Sequence, residues 1–451
     1  VFSGKKVLVI GLARSGLATV SFLVRQGATV TANDIKKEEE LGPQLQQLKE
    51  LPVHLITGKH PHLKKGDYDL IIISPGVPPT ITPVQEAKKL GIPIWSELEL
   101  AARLIREPIV AITGTNGKTT TTSWLGHIFR KAGKNVVVAG NIGVPLIQAV
   151  QEQRGQIDFW VVEVSSFQLE HVVTFRPKIA IFLNLTPDHL DRHGTLENYG
   201  KTKARIFGNQ GPEDFAILNR DDVYLRQIAP QIKSRVFWFS RTALPNWGIG
   251  VKNDWIVSCI EGQEEVICKT SDLGIPGPHN LENALAAAGA ALLSGIDKNS
   301  IREGLATFPG VPHRLELVRT VDGVKFVNDS KGTNPESVLK ALEAFPEEEI
   351  VLIAGGKAKG SGFHRLALKI KEKVKAVVLL GEARELIKKA LHQVGYRKIW
   401  EVASLEEAVR TAAELAQPGD VVLLSPGCAS WDMFQDFEER GNLFKELVHS
   451  L

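Results

Sequence analysis

The sequence predicts an α/β protein of several domains, each built on a mainly parallel sheet covered by helices. Short apolar runs, almost continuous in Val, Ile and Leu, alternate with amphipathic helical stretches from end to end. Strands buried on both faces read this way. Nearly every polar cluster follows directly after one of these runs, where parallel sheets place their ligands. At 451 residues the chain exceeds one ordinary core; with domains of ~100–200 residues, about three are expected.

The first segment reads β-α-β. Residues 6–10 form an apolar strand, Gly11-Leu12-Ala13-Arg14-Ser15-Gly16 a tight turn, and residues 17–27 a helix with Leu17, Val20, Leu23 and Val24 on one face. The strand 29–32 follows, closed by Asp34. An acid about 20 residues after such a turn meets ribose hydroxyls in nucleotide-binding crossovers. The middle glycine of that fingerprint is replaced by Ala13, so Asp34 reads equally well as a turn acid. Further strands are expected at 70–73, before Ser74-Pro75-Gly76, and at 92–95.

The second segment opens near Glu97 and carries the most informative run, Gly114-Thr115-Asn116-Gly117-Lys118-Thr119-Thr120. It follows the apolar strand 109–112 and opens a helix whose Trp124, Leu125, Ile128 and Phe129 recur at helical spacing. Strand, glycine loop, Lys-Thr and helix form a phosphate cradle: backbone N–H groups and the positive helix end face anionic oxygens. Lys118 would neutralise the outer phosphates and the Thr119 hydroxyl would ligate Mg²⁺. Strands are expected at 135–139, 159–164, 179–185 and 215–218. Residues 235–269 break into short runs with Gly, Asn and Asp, the pattern of a small antiparallel region. An alanine-rich helix covers 281–293.

The third segment begins near Phe308-Pro309-Gly310-Val311-Pro312 and alternates again, with strands at 326–328, 350–354, 376–380 and 421–424. The expected domains are therefore 1–96, Rossmann-like; 97–310, a phosphate-loop ATPase domain with a small antiparallel sheet; and 311–451, Rossmann-like.

Composition narrows the function. A net charge of +3 on this length, with no basic stripe interleaved with aromatics, argues against nucleic acid and the membrane surface. No run reaches the ~20 apolar residues of a span, and 7–10 is too short for a secretory core. Three cysteines without CxxC spacing fit a reducing compartment. The expectation is a cytoplasmic enzyme acting as a monomer.

Several clusters could carry chemistry. Glu163 ends an apolar strand in the phosphate-loop domain, a position suited to a hard-cation ligand. Asn184-Leu185-Thr186-Pro187-Asp188-His189-Leu190-Asp191-Arg192-His193 is a dense polar loop in which His189 could bind metal through a neutral imidazole. Lys203 lies on a basic helical stretch, which alone reads as a solvated face. Asn280 and Asn283 share a helix face and could meet adenine, or Asn280 could cap the helix.

Taken in order, Gly114 to Thr119, Gly140-Asn141-Ile142-Gly143, Glu163, Asp188-His189, Lys203, His279-Asn280 with Asn283, His313-Arg314 and Asn328-Asp329-Ser330-Lys331 resemble the Mur ligase family of bacterial cell-wall enzymes over the whole chain. Ser165-Ser166-Phe167-Gln168-Leu169 and Leu424-Ser425-Pro426-Gly427-Cys428-Ala429-Ser430 point to its D-glutamate-adding branch. The resemblance implies ATP-dependent amide formation between UDP-N-acetylmuramoyl-L-alanine and D-glutamate through an acyl phosphate. It implies two Mg²⁺ ions, held by Thr119 and Glu163 and by His189, and a Lys203 carbamylated by CO₂ into a carboxylate-like ligand. It places Asn280 and Asn283 at adenine, Arg314 and Asp329 at phosphates and ribose, and Asn141 and Ser165 at the sugar substrate and its alanyl end. Arg14, Ser15, Asp34 and Gly76 fall where the family touches uridine diphosphate, and Lys331, Thr333, Lys359, Ser430 and Phe437 where it binds D-glutamate. Lys357 and Ile35-Lys36 depart from the family pattern. Nucleotide and amino-acid residues on different domains imply closure during turnover.

The alternatives are another ligase of the family, a folylpolyglutamate synthase-like enzyme, a nicotinamide-dependent oxidoreductase built on residues 11–16, and a non-catalytic UDP-sugar-binding protein. The N-terminal crossover separates the first from the second, nicotinamide binding to residues 1–96 would mark the third, and absence of any ATPase would mark the last.

Overall fold

The computed structural model of the chain describes residues 2–41, 43–345, 348–358 and 362–451. These fall into two compact units, Val1–Phe308 and Pro309–Leu451.

The first unit holds two sheets. Its N-terminal sheet comprises β1 (Lys6–Ile10), β2 (Thr29–Asp34), β3 (Val53–Thr57), β4 (Leu70–Ile73) and β5 (Ile94–Ser96), all parallel, in the order β3-β2-β1-β4-β5. β1 is central, and Val7, Leu8, Val9 and Ile10 are fully buried. The helix expected after the first turn begins earlier, at Arg14, because Ala13 already holds the extended backbone of an N-cap. The last strand starts later than expected, at Ile94, after Pro93, which has no N–H to give a ladder. The sequence reading missed β3, an edge strand with no fully buried residue and hence little apolar periodicity.

The central sheet has nine strands: β6 (Ile109–Thr113), β7 (Val136–Gly140), β8 (Phe159–Glu163), β9 (Ile179–Phe182), β10 (Phe215–Asn219), β11 (Arg235–Ser240), β12 (Gly248–Lys252), β13 (Trp255–Ile260) and β14 (Gln263–Lys269). Their order is β14-β13-β12-β11-β10-β9-β6-β8-β7. Pairing is parallel from β7 to β12, and β12, β13 and β14 run antiparallel. The antiparallel region expected over 235–269 thus continues the main sheet. β11 joins the parallel part because its Phe237 and Phe239 are fully buried in register with β10. The two hairpins turn on Asn253-Asp254 and Glu261-Gly262, all at positive φ, the conformation that tight hairpins favour. The phosphate-loop helix (Lys118–Lys131) buries Trp124, Leu125, Ile128 and Phe129 completely, and the alanine-rich helix (Pro278–Leu293) packs against it through small side chains.

The second unit contains β15 (Glu316–Val321), β16 (Val324–Asn328), β17 (Ile350–Gly355), β18 (Val374–Leu380), β19 (Ile399–Glu401) and β20 (Val421–Leu424) in the order β15-β16-β20-β17-β18-β19. Only β15 is antiparallel to its neighbour, and apolar clusters lie on both faces of the sheet. β15 and β19 escaped the sequence reading for the same reason as β3: both are half-exposed edges.

A short helix (Glu97–Ala102) links the two sheets of the first unit. Its Glu99 carboxylate accepts the backbone N–H groups of Val173, Thr174 and Phe175 at 2.9–3.0 Å and pairs with Arg103 at 2.8 Å. Burial works against its charge, but these hydrogen bonds prevail and hold its pKa below the usual carboxylate value. Glu97 is the opposite case. Its Oε1 accepts from Ile147 N–H at 2.6 Å, its buried Oε2 finds no hydrogen-bond partner among the described residues, and burial pushes its pKa up to about 7. The folded state therefore binds this proton more tightly than the unfolded chain. Its contribution is complete below pH 4.5 and is lost as pH rises to about 7. Glu97→Gln mimics the protonated acid. Its stability advantage over the wild type should grow from near zero at about pH 4 to on the order of 3 kcal/mol at about pH 8, measured by urea unfolding across that range. A pH-independent difference would refute the assignment.

Candidate active site

The site of the first unit grows from the carboxyl ends of β6, β8 and β9. After Thr113 the chain turns through Gly114 and Gly117 (φ 154° and 83°) into the helix beginning at Lys118. Gly117 is left-handed, and a Cβ there would lie 2.2 Å from Asn283 Oδ1. A side chain is excluded on both counts. Asn283 is buried and accepts the Thr121 hydroxyl at 3.2 Å, so the alanine-rich helix props the start of the phosphate-loop helix. Asn280 lies one turn earlier and donates to Pro276 O at 2.7 Å; the N-cap is Gly277, so Asn280 is not the cap.

The loop after β9 braces the glycine turn from the other side. Thr115 N–H donates to Asn184 O (3.0 Å) and Asn116 N–H to Asn184 Oδ1 (2.9 Å), while Thr115 and Thr186 exchange hydrogen bonds at 3.0–3.1 Å. The sequence reading did not single out Asn184; its position at a strand end beside the glycine run was the available signal. Lys118 Nζ donates to Gly114 O and Thr115 O, both at 2.8 Å, and Thr119 and Thr120 are buried at the helix start.

Glu163 ends β8 opposite Ile112 of β6. It is 2% exposed. Its Oε1 accepts from Asn141 Nδ2 at 2.7 Å, and its Oε2 is buried without a hydrogen-bond partner among the described residues. Gly140 allows this approach, since a Cβ there would meet Glu163 O at 2.4 Å. An orphaned carboxylate oxygen in a phosphate-loop site fits a hard divalent cation such as Mg²⁺. Among the described residues no group of three or more His, Cys, Asp or Glu forms a cation cage. A Mg²⁺ here would take one or two protein oxygens and complete its shell with water and phosphate, its usual habit.

Lys203 lies on the helix Leu196–Ala204, and it is buried rather than a solvated face. Its Nζ donates to Gly114 O at 2.8 Å, reaches Thr113 Oγ1 at 3.5 Å and sits 4.6 Å from the Tyr199 ring centroid. Burial, and then the neighbouring Lys118 ammonium, lower its pKa to about 6. His189 carries a left-handed backbone (φ 51°), and its ring packs against Phe167 at 4.8 Å and Tyr199 at 6.2 Å. Ser165 caps the helix Ser166–Leu169 by accepting from Gln168 N–H.

The N-terminal turn forms a second constellation. Asp34 accepts Leu12 N–H at 2.7 Å and Lys36 N–H at 3.0 Å, so both oxygens close backbone turns. A Cβ at Gly16 would fall 1.8 Å from Gly11 O, and Ser74 Oγ donates to that same carbonyl at 2.7 Å. Arg14 and Ser15 start the helix beside this turn, and Gly76 follows β4 with open space around it.

In the second unit, Asp329 directly follows β16, buried, accepting the Ser425 hydroxyl at 2.7 Å. Burial raises its pKa to about 6. Lys331 Nζ lies 5.5 Å from the Phe437 ring centroid, Thr333 follows two residues later, Ser430 is buried, and Arg314 is exposed before β15. Lys359 lies outside the described residues. Arg440, which the sequence reading passed over, is 2% exposed and donates to Ser330 Oγ (3.0 Å), to Ser330 O (2.8 Å) and to Cys428 O (3.4 Å). It ties the turns after β16 and β20 together. An arginine amid the apolar face of a terminal helix was the only hint.

Family models match three stretches of the chain: the Mur ligase MurD-like N-terminal domain at 5–96, the Mur ligase middle domain at 112–291 and the Mur ligase glutamate ligase domain at 313–428. The chain is 54% identical over 450 residues to the UDP-N-acetylmuramoylalanine–D-glutamate ligase of Pelotomaculum thermopropionicum, covering 100% of this chain and 98% of that one. It is 49% identical to the enzyme of the same name from Caldanaerobacter subterraneus, covering 99% and 98%. Among solved structures it matches MurC of Thermotoga maritima (TM-score 0.57, 20% identity, 99% of each chain). It also matches MurF of Acinetobacter baumannii (TM-score 0.60, 17% identity, 98% and 93%). These likenesses show the shared fold.

Gly117→Ala should lose nucleotide binding at least tenfold by calorimetry, because left-handed strain of about 1–2 kcal/mol adds to the clash with Asn283. Unchanged affinity in Gly117→Ala would show that the turn tolerates a side chain.

Proposed function

This chain belongs to the Mur ligase family, and from that premise we propose that it joins D-glutamate to UDP-N-acetylmuramoyl-L-alanine in an ATP-driven amide synthesis within the cytoplasm. The observation that carries the reading is end-to-end likeness to relatives bearing that one activity in their names. We assign residues 1–96 to the UDP-sugar, 97–310 to ATP and 311–451 to the amino acid, and the enzyme acts as a monomer.

A carboxylate is a poor electrophile, so the alanyl carboxyl first takes the γ-phosphoryl group of ATP. The D-glutamate amine then attacks this acyl phosphate, and the tetrahedral adduct expels phosphate. The reactants are anions, and the site must offset their repulsion. The Gly114–Thr120 turn and its helix end cradle the phosphates, and Lys118 exchanges its carbonyl partners for them. Thr119, Glu163 and His189 would hold Mg²⁺, which supplies electrophilic charge to the transferring phosphoryl group. Asn280 and Asn283 bind the adenine side, and Arg314 and Asp329 serve phosphates and ribose. Asn141 orients Glu163 and the sugar substrate, and Ser165 meets the alanyl end. Arg14, Ser15, Asp34 and Gly76 receive uridine diphosphate. Lys331, Thr333, Ser430 and Phe437, with Lys359, receive D-glutamate.

The buried Lys203 amine supports a further step. Among the described residues no carboxylate forms a salt bridge with it, although Asp188 and Glu163 act on its charge, and a second ammonium, Lys118, shares its Gly114 carbonyl. Attack of the neutral amine on CO₂ forms an N–C bond, sends one C=O electron pair to oxygen and releases one proton. The product is an anion where a cation would repel Mg²⁺.

Phosphate release should require ATP, UDP-N-acetylmuramoyl-L-alanine and D-glutamate together; equal rates with L-lysine, diaminopimelate or L-alanine would overturn the assignment. Lys203→Ala should lose activity roughly 100-fold or more, the scale on which a misplaced site suffers. Added short carboxylates should restore part of it, and a fully active variant would remove the carbamate.

A further inference from the structure

Arg192 belongs to the polar loop after β9, yet no role assigned so far uses it. Its side chain is only 13% exposed. Nε donates to Glu170 Oε1 at 2.9 Å and Nη2 to Glu170 Oε2 at 2.5 Å. The remaining donors cross to the N-terminal sheet: Nη1 reaches Pro75 O at 3.1 Å and Nη2 reaches Val77 O at 2.9 Å. The guanidinium lies 4.4 Å from the centroid of Phe167, the ring that also packs against His189. Arg192 N–H donates to His189 O at 3.1 Å, and the adjacent His193 meets Ser166 Oγ at 3.1 Å. One planar cation thus joins three segments: 75–77 after β4, 166–170 after β8 and 189–193 after β9.

Each of these segments sits beside a residue with a proposed reactant role: Gly76, Ser165 and His189. The fork is suited to the task. A guanidinium presents five fixed donors in a plane, so it can engage a carboxylate on one edge and two carbonyls on another. A lysine offers a single point charge and cannot span both.

We infer that Arg192 is a positioning residue that fixes the sugar-nucleotide loop against the His189 segment, so that seating the UDP-sugar is felt at the reacting phosphoryl group. This deepens the proposed function and rests on it for the roles of Gly76 and His189. Arg192 touches no reactant; it acts through the main chain on either side of it.

Two variants test this. Arg192→Lys keeps the charge and loses the fork. Arg192→Ala combined with Glu170→Gln removes both buried charges, so no lone carboxylate is left to unfold the unit. In the ligand-free protein, both should raise amide hydrogen exchange in 76–78 and 189–194 together. In the wild type, adding UDP-N-acetylmuramoyl-L-alanine should protect both segments; in the variants, protection should stop at 76–78. Turnover should fall roughly tenfold to a hundredfold, while the KM for ATP stays within about twofold of the wild type, because Asn184 braces the phosphate loop independently of Arg192. Wild-type turnover, unchanged exchange in either segment, or a KM for ATP rising in step with the loss would overturn the inference. If the wild type itself released no phosphate with D-glutamate, the functional reading would fail, and the ligand-free exchange would still decide whether Arg192 holds the two segments together.

Discussion

Parallel pairing of β6 between β8 and β9 is the constraint on which the rest of the first unit depends. The register sets Ile112 beside Glu163 on one side and Thr113 beside Phe182 on the other. The glycine turn, the strand-end acid and the polar loop leading to His189 therefore emerge at one end of the sheet. A parallel strand cannot return through a tight turn, so each crossover buries a helix on the sheet and leaves the carboxyl ends free for chemistry.

That arrangement is costly locally. Among the described residues Glu163 keeps one oxygen without a hydrogen-bond partner, and Lys203 and Lys118 bring two amines to one carbonyl. Such groups persist only where the surroundings over-determine them. Here the surroundings are the fully buried Trp124, Ile128 and Phe129 of the phosphate-loop helix, the Asn184 brace and the rings of Phe167, His189, His193 and Tyr199. The second unit uses a related device. Its buried Arg440 draws the turns after β16 and β20 together through main-chain and hydroxyl acceptors, and burial lowers its pKa to about 10.

What could be read in advance follows how local each signal is. The buried strands β1, β4, β6, β8 and β20 are runs of Val, Ile and Leu, and their positions were clear to within a residue or two. The edge strands β3, β15 and β19 carry mixed side chains because only part of each is covered, and they left no pattern. The phosphate turn was legible because its glycines and Lys-Thr pair are contiguous. Lys203 was legible only through the family resemblance: taken alone, its neighbours Lys201 and Arg205 suggest a wet helix face, and the packing of that helix shows the amine buried beneath Gly114.

The sequence by itself determined the α/β class, the phosphate cradle and the order of the polar strand ends, because each rests on residues adjacent along the chain or repeating with a strand or helix period. Tertiary structure alone decided which carboxylate oxygen stays unpaired, which lysine loses water and which carbonyls Arg192 reaches. Arg192 and Pro75 stand far apart in the chain, as do Glu163 and Asn141, and nothing in local periodicity encodes their meeting. Desolvation and hydrogen-bond geometry exist only once distant segments are packed together, and these are what set the charge state of Lys203 and the orientation of the groups around it.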